Sequence, residues 1–283
     1  MAVAAALVVT AKPCDAPYPL QRPDPALQAR LEARLSRIGL GRDLASRRLA
    51  VSVVDLSGPN APYYAGVNDD VMLYAASLPK IAILLAVVQL ANEGRVEWTP
   101  AFAFRLRKMI TISNNAFASW GADVAGLDGI AEVMRRAEYC FYEPPRGGLW
   151  MGRAYRKGAK AKRDPVHNIS HGATSRQTAR WYLMLDQGLL VSHYWSERMR
   201  DLMGPPDYFH KFVAGIGNQP GVRFIARKSG TWRLFHSDSA LIQHHARRYV
   251  VVGLAEMPDG EQALRNVARI VDDLIMEGDH RRR

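Results

Sequence analysis

Short β-branched runs stand towards both ends of this chain, with a long, mostly helical stretch between them. Residues 48–56, RLAVSVVDL, read as a strand; the turn SGPN follows, and a second strand is expected around residues 63–65. Three more strand-like runs close the chain: GVRFIARKSG (221–230), DSALIQHH (238–245) and RRYVVVGLAEM (247–257). Antiparallel pairing can unite segments distant in sequence, so these terminal strands are expected to share one sheet. Helical spacing at residues 27–38 and 261–276 supplies a first and a last helix to cover one of its faces. The expected fold class is α+β: a three-layer α/β/α sandwich with an antiparallel sheet, helices on both faces and a reduced all-helical middle.

Between the strands, helices are expected at residues 77–94, 103–125, 127–137 and 175–188. Pro79 is compatible with the first turn of a helix. Residues 142–171 are basic and punctuated by glycine and proline, and read as a long loop with little regular structure. Residues 27–283 are expected to form one domain, with the helical subregion spanning about 77–200.

Composition narrows the partners. The chain has 283 residues, 48% of them apolar and 23% charged, which describes a globular protein with ample material for a core. The net charge is +11, yet the basic residues are scattered apart from 153–163 and the HRRR tail. No nucleic-acid recognition module accompanies them, so nucleic acid is not an expected partner. Residues 2–11 form an apolar stretch ending in Val-Thr-Ala but lack a basic flank. Residues 1–26 therefore read as an export-signal remnant and leader, which implies a periplasmic or secreted protein. No run has the length of a membrane-spanning helix. The two cysteines, Cys14 and Cys140, form no metal-ligand pattern, and a disulfide between them stays open. Oligomeric state is not legible.

Three polar clusters carry chemistry. In YAASLPKIAILLAVVQL (74–90), Ser77 and Lys80 are one helical turn apart, and the lysine enters a stretch almost free of other charge. Ser113-Asn114-Asn115 lies on or beside a helix, and Lys228-Ser229-Gly230-Thr231 ends a strand. Singly, each has an ordinary reading: a lysine whose stem packs while its head reaches water, a helix cap, a strand end with a turn. Together and in this order they are SxxK, SxN and K[ST]G, and the chain resembles the serine β-lactamase and penicillin-binding superfamily, most closely its class A branch. The resemblance runs from about residue 49 to 276.

It implies that Ser77 is the nucleophile, with Lys80 and Ser113 moving protons. It further implies that Asn115, Lys228, Ser229, Gly230 and Thr231 bind substrate, and that the backbone N–H groups of Ser77 and Thr231 form the oxyanion hole. No metal or cofactor is expected. The implied substrate is a small molecule or a cell-wall peptide carrying an amide or ester bond near a carboxylate, a β-lactam among them. A D,D-peptidase, an esterase or acyltransferase, and a catalytically weak protein binding peptidoglycan or a partner are the alternatives.

Two features depart from class A. Ser113 follows Ser77 by only 36 residues. That branch also activates its deacylating water with a loop glutamate followed four residues on by asparagine. Here YEPPRGGLW offers Glu143, but Gly147 holds the asparagine position. His167 and His171, near the same loop, are the other candidates for that role.

Overall fold

The computed structural model describes residues 20–144 and 146–279. In chain order its helices are α1 (Pro25–Leu35), α2 (Gly41–Ala45), α3 (Lys80–Asn92), α4 (Pro100–Thr111), α5 (Asn115–Ala125) and α6 (Leu127–Arg135). They continue with α7 (Ser175–Asp186), α8 (His193–Met203), α9 (Phe212–Ile216) and α10 (Gly260–Met276). The strands are β1 (Leu49–Asp55), β2 (Tyr63–Val67), β3 (Leu73–Tyr74), β4 (Tyr142–Glu143), β5 (Gly147–Gly148) and β6 (Trp150–Met151). Then come β7 (His171–Ala173), β8 (Val222–Trp232), β9 (Phe235–His244) and β10 (Arg247–Glu256).

The terminal strands do share one sheet. Its order is β2-β1-β10-β9-β8, antiparallel throughout, so β1 pairs with β10 from the opposite end of the chain. The two-residue period of a strand then sorts side chains onto opposite faces. Val51, Val53, Tyr249, Val251, Ala240 and Ile242 pack on one face with α1, α9 and α10. Ala50, Val54, Val250, Val252, Leu254 and Leu241 pack on the other with α3 to α8. The result is the expected α+β three-layer sandwich.

The body of α3 is buried continuously from Lys80 to Val88. A helix apolar on every side needs neighbours all round. One of them, α5, approaches so closely at Gly121 that a Cβ there would lie 2.8 Å from Ile83.

Four local expectations are corrected. The helix expected to open at Ser77 opens at Lys80, because residues 77–79 form a tighter turn. There the Lys80 amide donates to the Ser77 carbonyl (3.3 Å), and Pro79 takes the cap position. The helix expected over 103–125 is two helices, α4 and α5. Ser113 takes a left-handed conformation (φ 55°), and the Asn114 side chain accepts the Phe117 amide (2.9 Å), capping a new start. The stretch 142–171 contains paired strands: β4 with β5, and β7 between β3 and β6. Helix α8 was not expected at all; its sequence is polar, and its buried Trp195, Met199, Leu202 and Met203 recur at helical spacing.

Cys140 is disulfide-bonded. Cys14 and the apolar export-signal stretch lie outside the described residues. Among the described residues no helix is long and apolar enough to cross a membrane.

Candidate active site

The break between α4 and α5 turns the Ser113 backbone towards α3. Lys80 Nζ, fully buried at the head of that helix, donates to the Ser113 carbonyl (2.6 Å), Ser113 Oγ (3.1 Å) and Asn115 Oδ1 (2.8 Å). Lys228, from β8, donates to the same Ser113 Oγ (3.0 Å) and to the Ser229 carbonyl (2.7 Å). One hydroxyl thus joins two lysines from opposite ends of the chain. Burial pulls Lys80 down to about 7. It pulls Lys228 well below its ordinary value, and the charge of Lys80 adds to that fall.

Ser77, half-buried, precedes α3 in the turn described above. Strand β8 runs against that turn. A Cβ on Gly230 would lie 2.5 Å from the Ser77 amide nitrogen and closer still to the Ala75 carbonyl, so only glycine allows this approach. Ser237 Oγ, on neighbouring β9, ties the same turn by donating to the Ala75 carbonyl (2.8 Å). Thr231 follows Gly230 on the exposed end of β8, and Ser229 Oγ lies 3.3 Å from His210 Nε2. The three sequence clusters are therefore brought to one place, with Ser77, Lys80, Ser113, Asn115 and residues 228–231 around it.

Other residues of the site carried no sequence signal. Lys211 is buried behind the end of β8 and donates to the Gly230 carbonyl (2.5 Å), Thr231 Oγ1 (2.7 Å) and the Ser237 carbonyl (3.1 Å). Burial lowers it to about 8. Arg227 binds the buried Asp238 through Nε (2.9 Å) and Nη2 (2.7 Å). Tyr155 lays its ring over Lys80, 4.4 Å from Nζ to the ring centre, and its hydroxyl donates to the Ala76 carbonyl (3.0 Å).

His171 packs tilted against the Tyr155 ring, 4.5 Å between ring centres, and is bonded at Nε2 to the Arg153 carbonyl (2.8 Å). Burial lowers it to about 4, with the nearby charges of Lys80 and Arg153 adding to the fall, so it is a neutral packing group near pH 7. His167 is exposed on the loop, 3.2 Å from the Arg146 carbonyl. Glu143 is half-buried on β4.

Residues 105–275 match the model of the beta-lactamase enzyme family. The chain belongs to that family. The matched stretch holds Ser113, Asn115 and the 228–231 cluster, and begins after Ser77 and Lys80. A search of curated proteins returns no match. Among solved structures, the chain is similar to a mutant of PBP-A in an acyl-enzyme complex with penicillin G. The identity is 20%, with 92% of this chain and 99% of that one covered, at a TM-score of 0.70. A β-lactamase from Sphaerobacter thermophilus is similar at 19% identity, with 85% and 98% covered and a TM-score of 0.67. A variant of the last common ancestor of Gram-negative bacteria class A β-lactamase is similar at 18%, with 89% and 99% covered and a TM-score of 0.65. These likenesses place this member of the beta-lactamase family on the same fold.

Proposed function

We propose that the chain is a serine hydrolase that forms an acyl-enzyme on Ser77 with a β-lactam or a related amide or ester. The carrying observation is the Lys80–Ser113–Lys228 chain of hydrogen bonds beside Ser77. Two lysines sharing one hydroxyl do not both hold a proton cheaply, and burial sets Lys80 close to neutrality. A neutral Lys80 amine keeps two N–H bonds for the Ser113 carbonyl and Asn115 Oδ1, and its lone pair is then free to take the Ser77 proton. Oγ of Ser77 attacks the carbonyl, and Ser113 hands a proton to the leaving nitrogen or oxygen. The Ser77 and Thr231 amides receive the developing oxyanion, a role supported by the close passage of Gly230 over the Ser77 amide.

The substrate class follows from charge. Lys228, Lys211 and Arg227 are buried near one buried carboxylate, Asp238. Such an excess of cations favours a substrate bearing a carboxylate, and the reading gives its binding to Ser229, Thr231 and Lys228. PBP-A, captured in mutant form as an acyl-enzyme with penicillin G, supplies the analogy for this step. The disulfide at Cys140 fits an exported protein. A second reading, a D,D-peptidase or acyltransferase with a long-lived acyl-enzyme, is favoured by one observation: glycine, not asparagine, stands four residues after Glu143.

The test is intact-mass spectrometry after mixing with a fluorescent penicillin, followed in time. An adduct that forms and then disappears supports a β-lactamase, and one that persists supports the second reading. No adduct at any concentration removes β-lactam chemistry and favours an esterase or a binding protein. Adduct formation should also accelerate with rising pH, from about pH 5.5 to about pH 8.5, as Lys80 loses its proton near 7. A flat profile over that range counts against Lys80 as the base.

A further inference from the structure

The basic segment 153–163 packs against the site, and two of its six basic side chains, Arg156 and Lys162, hold it there through ion pairs. Its two limbs are pressed together: the Lys162 amide donates to the Gly152 carbonyl (2.7 Å), and Trp150 Nε1 donates to the Lys162 carbonyl (2.9 Å). A Cβ on residue 152 would collide with that same Lys162 carbonyl, so glycine is required there. Two ion pairs strap the segment to the helical layer. Arg156 grips Asp123 of α5 with both terminal nitrogens (2.7 and 2.8 Å), and Lys162 pairs with Asp128 of α6. His171 Nε2, bonded to the Arg153 carbonyl, ties the segment to β7.

This framework fixes Tyr155. Its hydroxyl is held by the carbonyl of Ala76, the residue before Ser77, and its ring covers Lys80. The three donor positions of Lys80 Nζ are taken by Ser113 and Asn115, and the ring fills the approach from the loop. A water that is to break an ester on Ser77 needs a base beside it. Its oxygen bonds to the acyl carbon, the bond to Ser77 Oγ breaks, one proton of the water goes to the base, and Ser77 Oγ recovers a proton. Tyr155 stands where a water served by Lys80 would enter.

We propose that Tyr155 is a positioning residue that seals Lys80 from solvent on the loop side and so protects an acyl group on Ser77 from hydrolysis. The proposal rests on Ser77 forming an acyl-enzyme, and it assigns the lifetime of that species to one ring and the strap behind it.

The test compares the native protein with Tyr155→Ala, Tyr155→Phe and Arg156→Gln. Formation and loss of the fluorescent penicillin adduct are timed separately by intact mass. Acetylation of Lys80 by acetic anhydride without substrate is read by peptide mass, with exposed Lys157 as the internal standard. Tyr155→Ala should lose its adduct about tenfold faster while forming it within about threefold of the native rate, and its Lys80 should label faster. Tyr155→Phe, which keeps the ring and loses only the bond to the Ala76 carbonyl, should stay within about threefold of the native adduct lifetime and labelling. Arg156→Gln changes only a surface ion pair; it should fall between the two and carries the test if Tyr155→Ala does not fold. Equal lifetimes and equal Lys80 labelling in all four proteins overturn the proposal. Where the native protein forms no adduct, the Ser77 reading fails by itself. Lys80 labelling then decides the seal alone, faster labelling in Tyr155→Ala supporting it and equal labelling overturning it.

Discussion

Lys80→Ala should slow acylation of Ser77 by about 10²–10⁴-fold, the range expected for loss of a positioned general base. The size follows from where the lysine sits. A serine hydroxyl is a weak nucleophile until its proton is taken, and a lysine serves as a base near neutral pH only when burial has lowered its proton affinity. Lys80 meets that condition at about 7. Lys228 is also buried, but it reaches the site through Ser113 and keeps a further bond to the Ser229 carbonyl. Lys80→Arg should fail equally, because a guanidinium does not give up its proton. The fold should survive Lys80→Ala, since that change takes a buried amine out of the core. The check is the second-order rate of adduct formation with fluorescent penicillin, alongside a urea unfolding curve. A rate within about threefold of native would remove Lys80 from the proton path.

Asp238→Asn should cost about 3–5 kcal/mol of stability, the usual penalty for removing one partner of a buried ion pair. Asp238 is fully buried and accepts from Arg227 at Nε and Nη2, from the Phe212 amide (3.1 Å) and from the Ser239 amide (3.0 Å). Arg227 in turn holds the Tyr208 and His210 carbonyls (3.1 and 3.2 Å), and so fixes the segment that delivers Lys211 beneath Gly230. An asparagine fills the same space but carries no charge, and Arg227, Lys211 and Lys228 are left buried without their carboxylate. Urea unfolding of the two proteins at neutral pH measures the loss. A difference below about 1 kcal/mol would mean that the cations are compensated elsewhere.

The residues legible in the sequence are those whose type and order carry the pattern: Ser77 with Lys80, Ser113 with Asn115, and Lys228 to Thr231. The sheet was legible because β-branched runs have one plausible destiny, pairing with each other. What stayed hidden was set by tertiary contact. Tyr155 sat in a stretch that reads as solvated basic loop, and only the straps to Asp123 and Asp128 bring its ring over Lys80. Lys211 and Asp238 look like ordinary surface charges until β8 and β9 pair and close over them.

The break at Ser113 was concealed by hydrophobic spacing that continues through it. The signal that marked it was the cap-forming Asn114, and a left-handed residue ahead of a capped helix is what places the Ser113 carbonyl on Lys80. Helix α8 was missed for the opposite reason, since its few buried residues are diluted by charge.

The central claim is that Ser77 carries the acyl group, and proteolytic mapping of the penicillin adduct tests it most directly. The added mass is expected on the peptide containing residues 74–80, localised by fragmentation to Ser77 and lost in Ser77→Ala. An adduct on any other residue, or one that persists undiminished in Ser77→Ala, would contradict the account.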